Sequence, residues 1–244
     1  MDIPLIKFSE QEHKLIERAP VEYGDIYSNT HDLIFLSWNF LERIEHKGEA
    51  FSLFFGQINK TLIQCMLAAI RKHCVQFHAM LRHIIEYASL AAYSTYETDM
   101  HVFYHEDENK CLVPEEKTTV KAYKWLDANY PIHSGKLHQM KDTINNTYSH
   151  ASILPTIHNL KFSQTEVGLF YFDDTDKIFT EQYLWWIGDI IIGILELLYD
   201  LLQKNPVAIV TDNYLSTMNQ LVRNSIYIRA RLMSDPTFFK WKEK

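Results

Sequence analysis

Glycine and proline are scarce in this chain, with 7 of each among 244 residues. That is about 3% each against usual frequencies of roughly 7% and 5%, and so few turn-forming residues disfavour a many-stranded β architecture. Only three cysteines occur, an odd number without CxxC spacing, which excludes a disulfide-stapled scaffold. Hydrophobic residues make up 47% of the chain and charged residues 23%, which excludes wholesale disorder. A folded, helix-rich protein remains.

The sequence also lacks the common phosphate-binding and nucleophile motifs. GxxxxGK[ST], GxGxxG and GxSxG are all absent, which disfavours nucleotide-dependent enzymes and α/β-hydrolases. Twelve histidines invite a metal hypothesis, but HExxH is missing, and the Glu-x-x-His pair that di-iron bundles repeat occurs only at Glu10–His13. We therefore predict no metal and no cofactor. A metal-binding helical bundle stays open as an alternative function.

The N-terminal residues carry no basic segment followed by an apolar one, as a secretory signal would. The unpaired cysteine count fits a reducing compartment. We expect a cytoplasmic protein.

Hydrophobic periodicity predicts an all-α fold, a multi-helix bundle built around a long central helix. Residues 57–96 contain neither Gly nor Pro and keep helical spacing throughout, which predicts one long helix or two nearly collinear ones. The other predicted helices are 9–18 with Ser9 as N-cap and an end before Pro20, 29 or 30 to 47 with Gly48 after its end, 115–128 closed by Pro131, 134–148 with Ser134 as N-cap, 180–204 capped by Thr180, and 212–234.

Between the helices, residues 98–114 are polar and predict an irregular surface loop. Residues 166–172 and 177–179 flank an acidic turn and predict one small β-hairpin near 166–179. Neither a linker nor an internal repeat occurs, so we predict a single helical domain over residues 1–244.

Residues 184–202 are the most apolar segment and have the length of a membrane span. Three acids interrupt it, Asp189, Glu196 and Asp200, and at about 100° per residue they lie within roughly 40° of one another on a helix. Charges at that depth would be costly in lipid. The pattern predicts a helix buried inside a soluble bundle and no membrane partner.

The net charge of −7 is distributed unevenly. Residues 221–244 hold six lysines and arginines against two acids, a local charge of +4, which leaves −11 for the rest of the chain. A basic C-terminal helix and tail on an acidic body favours a protein interface over bulk binding of nucleic acid.

A polar stripe marks the predicted central helix. At about 100° per residue, a continuous helix places Arg71, His78, Arg82 and Glu86 within an arc of roughly 80° at the border of the buried face. Such a stripe is either a structural ion network between helices or the wall of a functional cleft.

Residues 74–96, CVQFHAMLRHIIEYASLAAYSTY, and the later segment 146–152, NTYSHAS, resemble uncharacterised bacterial helical proteins of the HEPN-like superfamily. The resemblance covers about residues 55–200 and rests on an Arg…Glu helix and a later Ser/Tyr…His helix end. The resemblance implies a helical bundle. Active members of this superfamily are metal-independent ribonucleases that usually carry an Arg-x4–6-His motif on the last helix, and their active site is often completed across a dimer.

This chain departs from that pattern, because Arg71-x6-His78 lies on the predicted central helix and no histidine follows His158. In a rearranged site, His78 or His150 would accept the ribose 2′-OH proton, Arg71 or Arg82 would stabilise the charge on phosphate, and Glu86 would hold an arginine in place.

Two functional classes follow for this chain. The first is a non-enzymatic interaction or regulatory module from a bacterial stress or defence context, acting as a homo-oligomer or with a protein partner. The second is the HEPN-like ribonuclease, with RNA as its substrate.

Overall fold

Helices dominate the computed structural model, which describes residues 5–147, 160–162, 167–169, 171–173 and 175–236. The α-helices in these ranges are α1 (Leu5–Trp38), α2 (Glu49–Ile70), α3 (Cys74–Ser94), α4 (Thr118–Asn129), α5 (Pro131–Thr147), α6 (Lys177–Lys204) and α7 (Tyr214–Ser234). The strands are β1 (Leu41–Ile44), β2 (Tyr104–Glu106), β3 (Leu112–Pro114), β4 (Leu160–Phe162), β5 (Val167–Leu169) and β6 (Ala208–Val210). The all-α fold class is confirmed.

The described strands form three antiparallel pairs, β1 with β6, β2 with β3 and β4 with β5. A small hairpin occurs close to the predicted place, but its strands are β4 and β5, and residues 177–179 begin α6 instead of forming a strand. The β2–β3 hairpin lies in the segment predicted as an irregular loop. Asp107 closes its turn by accepting hydrogen bonds from the backbone N–H groups of Asn109 and Cys111.

The N-terminal helix is longer than predicted. The predicted end before Pro20 is wrong, because α1 continues through this proline and kinks at Gly24, where φ is +52°. Glycine reaches this left-handed conformation without a Cβ penalty. The predicted separate helices at 9–18 and from residue 29 are thus parts of one kinked element that ends at Trp38.

The predicted continuation of that helix to Gly48 is wrong. The chain leaves α1 at Trp38 and forms β1, whose pairing with β6 ties it to the segment after α6. The Glu45 N–H donates to the Val207 carbonyl at 2.9 Å, and that same carbonyl lies where a Cβ on Gly48 would be. Gly48 is therefore required by close backbone approach rather than by the end of a helix.

The predicted central helix is two helices that fold back on each other. α2 and α3 form the most extensively contacting helix pair, and the Cys65 thiol on α2 lies 3.6 Å from the Phe77 carbonyl on α3. Lys72 breaks the helix with a φ of 61°. The His73 N–H donates to Ala68 O at 2.9 Å and the Lys72 N–H to Ala69 O at 3.2 Å, the two bonds of a Schellman motif.

The hydrophobic core lies between this α2–α3 hairpin and helices α1, α6 and α7. The prediction that residues 184–202 are buried is confirmed, since α6 contacts all four of these helices and most of its apolar side chains are inaccessible. Thr30 of α1 donates a 2.9 Å hydrogen bond to the Leu184 carbonyl of α6. Of the three acids within residues 184–202, Asp189 and Glu196 are half-buried and Asp200 is exposed.

Several helix ends also differ from prediction. Pro131 is the first residue of α5, where its missing N–H costs nothing, and Ser134 lies inside that helix with its hydroxyl bonded to Asp127 of α4. α6 begins at Lys177, before the predicted Thr180 cap, and α7 begins at Tyr214.

Candidate functional site

The structure separates the residues of the predicted polar stripe. Arg71 is the C-cap of α2, on the far side of the Lys72 turn from His78, so the continuous helical face that aligned them does not exist. His150 lies outside the described residues. His78, Arg82 and Glu86 keep the predicted relation along α3, and of these three Arg82 and Glu86 form an ion pair.

His78 is fully buried, with 0% of its surface exposed. Its Nδ1 lies 2.7 Å from the Cys74 carbonyl, and since a carbonyl can only accept, Nδ1 is the protonated donor. The imidazole also meets the rings of Tyr183 and Trp186 edge to face at 5.3 and 6.0 Å. In this conformation a substrate does not reach His78, and its role as a general base stays a prediction that requires the bundle to open.

Arg82 and Glu86 belong to a network between helices. Arg82 Nε donates to Glu86 Oε1 at 3.2 Å, and Lys141 of α5 approaches the same oxygen at 3.3 Å. The Lys141 ammonium also stands 4.6 Å from the centre of the Tyr123 ring on α4. Burial raises the pKa of the Tyr123 hydroxyl to about 12, so it stays protonated at neutral pH. The described contacts are those of an ion network that joins α3, α4 and α5.

Arg71 belongs to a different cluster, at the turn between α2 and α3. Glu12 of α1 lies between two partners, with Oε1 2.8 Å from His73 Nε2 and Oε2 4.0 Å from Arg71 Nε. The Tyr171 hydroxyl donates to Glu12 at 3.4 Å, and its ring meets the His73 imidazole edge to face. We call these four side chains the turn cluster. Glu12, Arg71 and His73 are largely buried and Tyr171 is half exposed, so solvent reaches the site.

The chain after β5 fastens the α2–α3 turn. Asp173 is buried, and its carboxylate accepts a hydrogen bond from the Cys74 N–H at the start of α3. Its own N–H donates to the Lys72 carbonyl at 3.0 Å, and the Lys72 ammonium donates to Thr175 O at 3.3 Å. Asp173 thus acts as a helix cap supplied from a distant segment.

A second surface feature is an apolar groove between the C-terminal half of α1 and α2. Its volume is about 400 Å³. Two large rings stand out from its edge, Phe35 with 65% and Trp38 with 54% of their surface exposed, and Ile63 is exposed on the α2 side. The remaining lining residues are Ile16, Tyr27, His31, Ile34, Met66, Leu67 and Ile70. We call this surface the α1–α2 groove.

The helix on one side of the groove is almost free of charge. Within the described ranges, His46–Ile70 is the one helical segment long and apolar enough to cross a membrane by length and composition, with 56% of the tested stretch buried in the protein. A core helix of a soluble protein passes the same test, so this observation alone carries no assignment to a membrane.

The basic C-terminal helix is partly tied to the body of the protein. Arg231 bonds Asp25 of α1 at 2.7 Å, and the Arg229 guanidinium stands 5.8 Å from the centre of the Trp185 ring on α6. Residues 237–244 lie outside the described ranges.

In the part of the chain that the structure describes, no three histidine, cysteine, aspartate or glutamate side chains are grouped so as to hold a metal ion. No protein-family model, curated protein or solved structure matches this chain.

Proposed function

We propose that this protein is a non-enzymatic, cytoplasmic interaction module that self-associates through the α1–α2 groove, as part of a regulatory response. The exposure of Phe35 and Trp38 beside an apolar groove carries the proposal. Soluble monomers rarely expose adjacent large apolar side chains around a concave apolar surface, and such patches mark interaction sites.

The groove has features that a two-fold dimer needs. A symmetric interface uses the same surface on both copies, so that surface must present both projections and a recess to receive them. Phe35 and Trp38 are the projections, and the space between α1 and α2 is the recess. Aromatic side chains bury about 150–250 Å² each. With 65% and 54% of their surface still exposed, these two supply about 180–300 Å² of the roughly 800 Å² per partner of a standard interface.

The rim of the groove is also self-complementary in charge. Asp32 is exposed on α1, and Lys60 is the exposed lysine of the α2 face. We expect a two-fold arrangement that crosses α1 of one copy over α2 of the other to bring each acid near the partner's lysine. Rim pairs of this kind set orientation more than affinity.

Sedimentation or light scattering of the full chain tests the proposal, with Trp38→Ala and Phe35→Ala as the variants. We expect a dimer for the unmodified chain and, for Trp38→Ala, a dissociation constant at least about 30-fold higher, because a central aromatic residue contributes about 2 kcal/mol or more to such an interface. Leu215→Ala removes an equally exposed apolar side chain on α7, outside the groove, and leaves the dimer intact.

A monomeric unmodified chain at 100 µM contradicts the proposal. Vesicle binding that Trp38→Ala abolishes, without any dimer, assigns the groove to lipid and overturns self-association.

The turn cluster supports one alternative, a metal-independent ribonuclease. The Glu12 carboxylate lies against His73 Nε2, which favours the tautomer with Nδ1 unprotonated, the form that accepts the ribose 2′-OH proton. The returned proton would go to the leaving 5′ oxygen, and Arg71 would stabilise the charge on phosphate. His73 here takes the role predicted for His78 or His150.

Incubation of the purified protein with total RNA and chelator tests the alternative. Cleavage that survives chelation, is lost in His73→Ala and Arg71→Ala, and persists in His83→Ala supports it, since His83 is an exposed histidine of α3 outside the cluster. Intact RNA, or cleavage unchanged in His73→Ala, eliminates it.

A further inference from the structure

A further concave site lies among α3, α5, α6 and α7. It is a cavity of about 480 Å³, within the range of small-molecule sites. Much of its lining is apolar and aromatic, including Leu81, Leu137, Met140, Trp185, Trp186 and Ile190. This lining suits a ligand with a hydrocarbon body.

Two recessed carboxylates give the cavity its fixed charge. Asp189 and Glu196 both line it and both are half-buried, and within the described residues neither carboxylate has a hydrogen bond or an ion pair within 4 Å. Burial raises the pKa of Asp189 despite Arg229 and Lys136, which lower it. A partly desolvated carboxylate without a hydrogen-bond partner is costly, and a cationic ligand removes that cost.

The spacing of the two acids is fixed by the helix that carries them. Seven residues of α6 separate Asp189 from Glu196, which places them about 10.5 Å apart along the axis and within about 20° of the same face. One ammonium group does not satisfy both carboxylates at that separation, whereas two linked ammonium groups do.

The basic residues at this site stand at its mouth. Lys136 and Arg229 are exposed, and the Arg229 guanidinium lies over the Trp185 ring, which shows that the face of this ring accommodates a cation. The Nε2 atom of His133 lies 3.6 Å from Oδ2 of Asp200. An anionic ligand would meet Lys136 and Arg229 but would leave both recessed acids unpaired and add a third negative charge beside them.

We propose that this cavity binds a linear diamine or polyamine. One ammonium group pairs with Asp189 and another with Glu196, while the methylene chain between them packs on Ile192, Gly193 and Met140, which line the cavity. The charges give specificity for length, because only a chain that spans about 10 Å reaches both acids. This site is independent of the α1–α2 groove.

Calorimetric titration of the full chain with four probes tests the proposal: 1,7-diaminoheptane, 1,3-diaminopropane, heptylamine and heptanoate. We expect 1,7-diaminoheptane to bind at least about tenfold more tightly than the shorter diamine or the monoamine, as one extra charge-assisted pair implies. Heptanoate does not bind.

Asp189→Asn and Glu196→Gln each lower the affinity for 1,7-diaminoheptane to that of heptylamine. Asp142→Asn removes an exposed carboxylate of α5 that does not line the cavity, and leaves the affinity unchanged. Thermal melts of all three variants confirm folding before titration.

Equal affinity for heptylamine and 1,7-diaminoheptane overturns the proposal, as does preferential binding of heptanoate or the absence of binding at millimolar concentrations. An equal loss of affinity for 1,7-diaminoheptane in Asp142→Asn also overturns the proposal, because the loss would then follow from net charge alone.

Discussion

Asp173 offers the sharpest test of how the α2–α3 hairpin is held. Its carboxylate receives the Cys74 N–H at the start of α3, although 99 residues separate them in sequence. In Asp173→Ala this buried N–H loses its acceptor. Loss of an N-cap costs about 1 kcal/mol, and loss of a negative charge at a partly buried helix N-terminus costs about 0.5–1 kcal/mol more. We expect a total loss of about 2 kcal/mol.

Urea unfolding followed by far-UV circular dichroism measures this loss. With an m-value near 3 kcal/mol/M, the midpoint falls by about 0.7 M for Asp173→Ala. Asp173→Asn keeps an acceptor oxygen and loses only the charge, so its cost is about 0.5–1 kcal/mol. Asp176→Ala is the matched control, because this exposed acid occupies the N-cap position of α6 without a side-chain cap bond and contributes little.

Two results would refute the reasoning. Asp173→Ala as mild as Asp176→Ala would show that the buried N–H finds another acceptor. Equal costs for the Ala and Asn variants would show that the carbonyl oxygen of the amide does not replace the carboxylate as a cap.

Three further predictions concern the turn, the thiols and the cavity. Lys72→Gly removes the strain of a left-handed non-glycine residue, so it raises the free energy of unfolding by about 0.5–1 kcal/mol relative to Lys72→Ala, and a lower midpoint would contradict this. A disulfide reagent at pH 8 modifies Cys111 first, because this cysteine is exposed. Burial raises the pKa of Cys74 to about 12 and that of Cys65 well above its usual value, so both of these thiols react later. Simultaneous reaction of all three thiols would contradict this order. The pKa of Asp189 in the folded protein lies above the usual 3.8, so ionisation of Asp189 lowers stability as the pH rises from 3.8 to the folded pKa. Thermal melts at several pH values should show Asp189→Asn more stable than the unmodified chain at pH 7, and this advantage should disappear below about pH 3.8. A difference in stability that does not change with pH would contradict the assignment.

The helices were predictable where periodicity and burial agree. Residues 184–202 combine continuous apolar character with acids confined to one narrow stripe, and such a segment has few alternatives to a buried helix. The α2–α3 turn gave no comparable signal. Its left-handed residue is Lys72 rather than Gly or Asn, so the sequence around it reads as uninterrupted helix.

The turn cluster and the α1–α2 groove were not predicted, for a different reason. Glu12 and His73 meet only because α1 crosses the end of α2, and no local pattern encodes a contact over 61 residues. Phe35 and Trp38 lie in the apolar segment of α1, and their exposure depends on what the rest of the chain covers. Of the five predicted site residues, only Arg82 and Glu86 could be paired in advance, because they carry opposite charges four residues apart on one helix.

The order of elements along the chain bears on synthesis. α1 packs chiefly against α6, yet about 140 residues lie between the end of α1 and the start of α6. At roughly 5–20 residues per second, a ribosome needs about 7–28 s to supply the partner. The α2–α3 hairpin forms from adjacent segments and does not wait. During that interval the apolar side of α1, including Ile26, Leu33 and Leu36, has no α6 to cover it. We therefore expect α1 of the nascent chain to bind chaperones until α6 emerges.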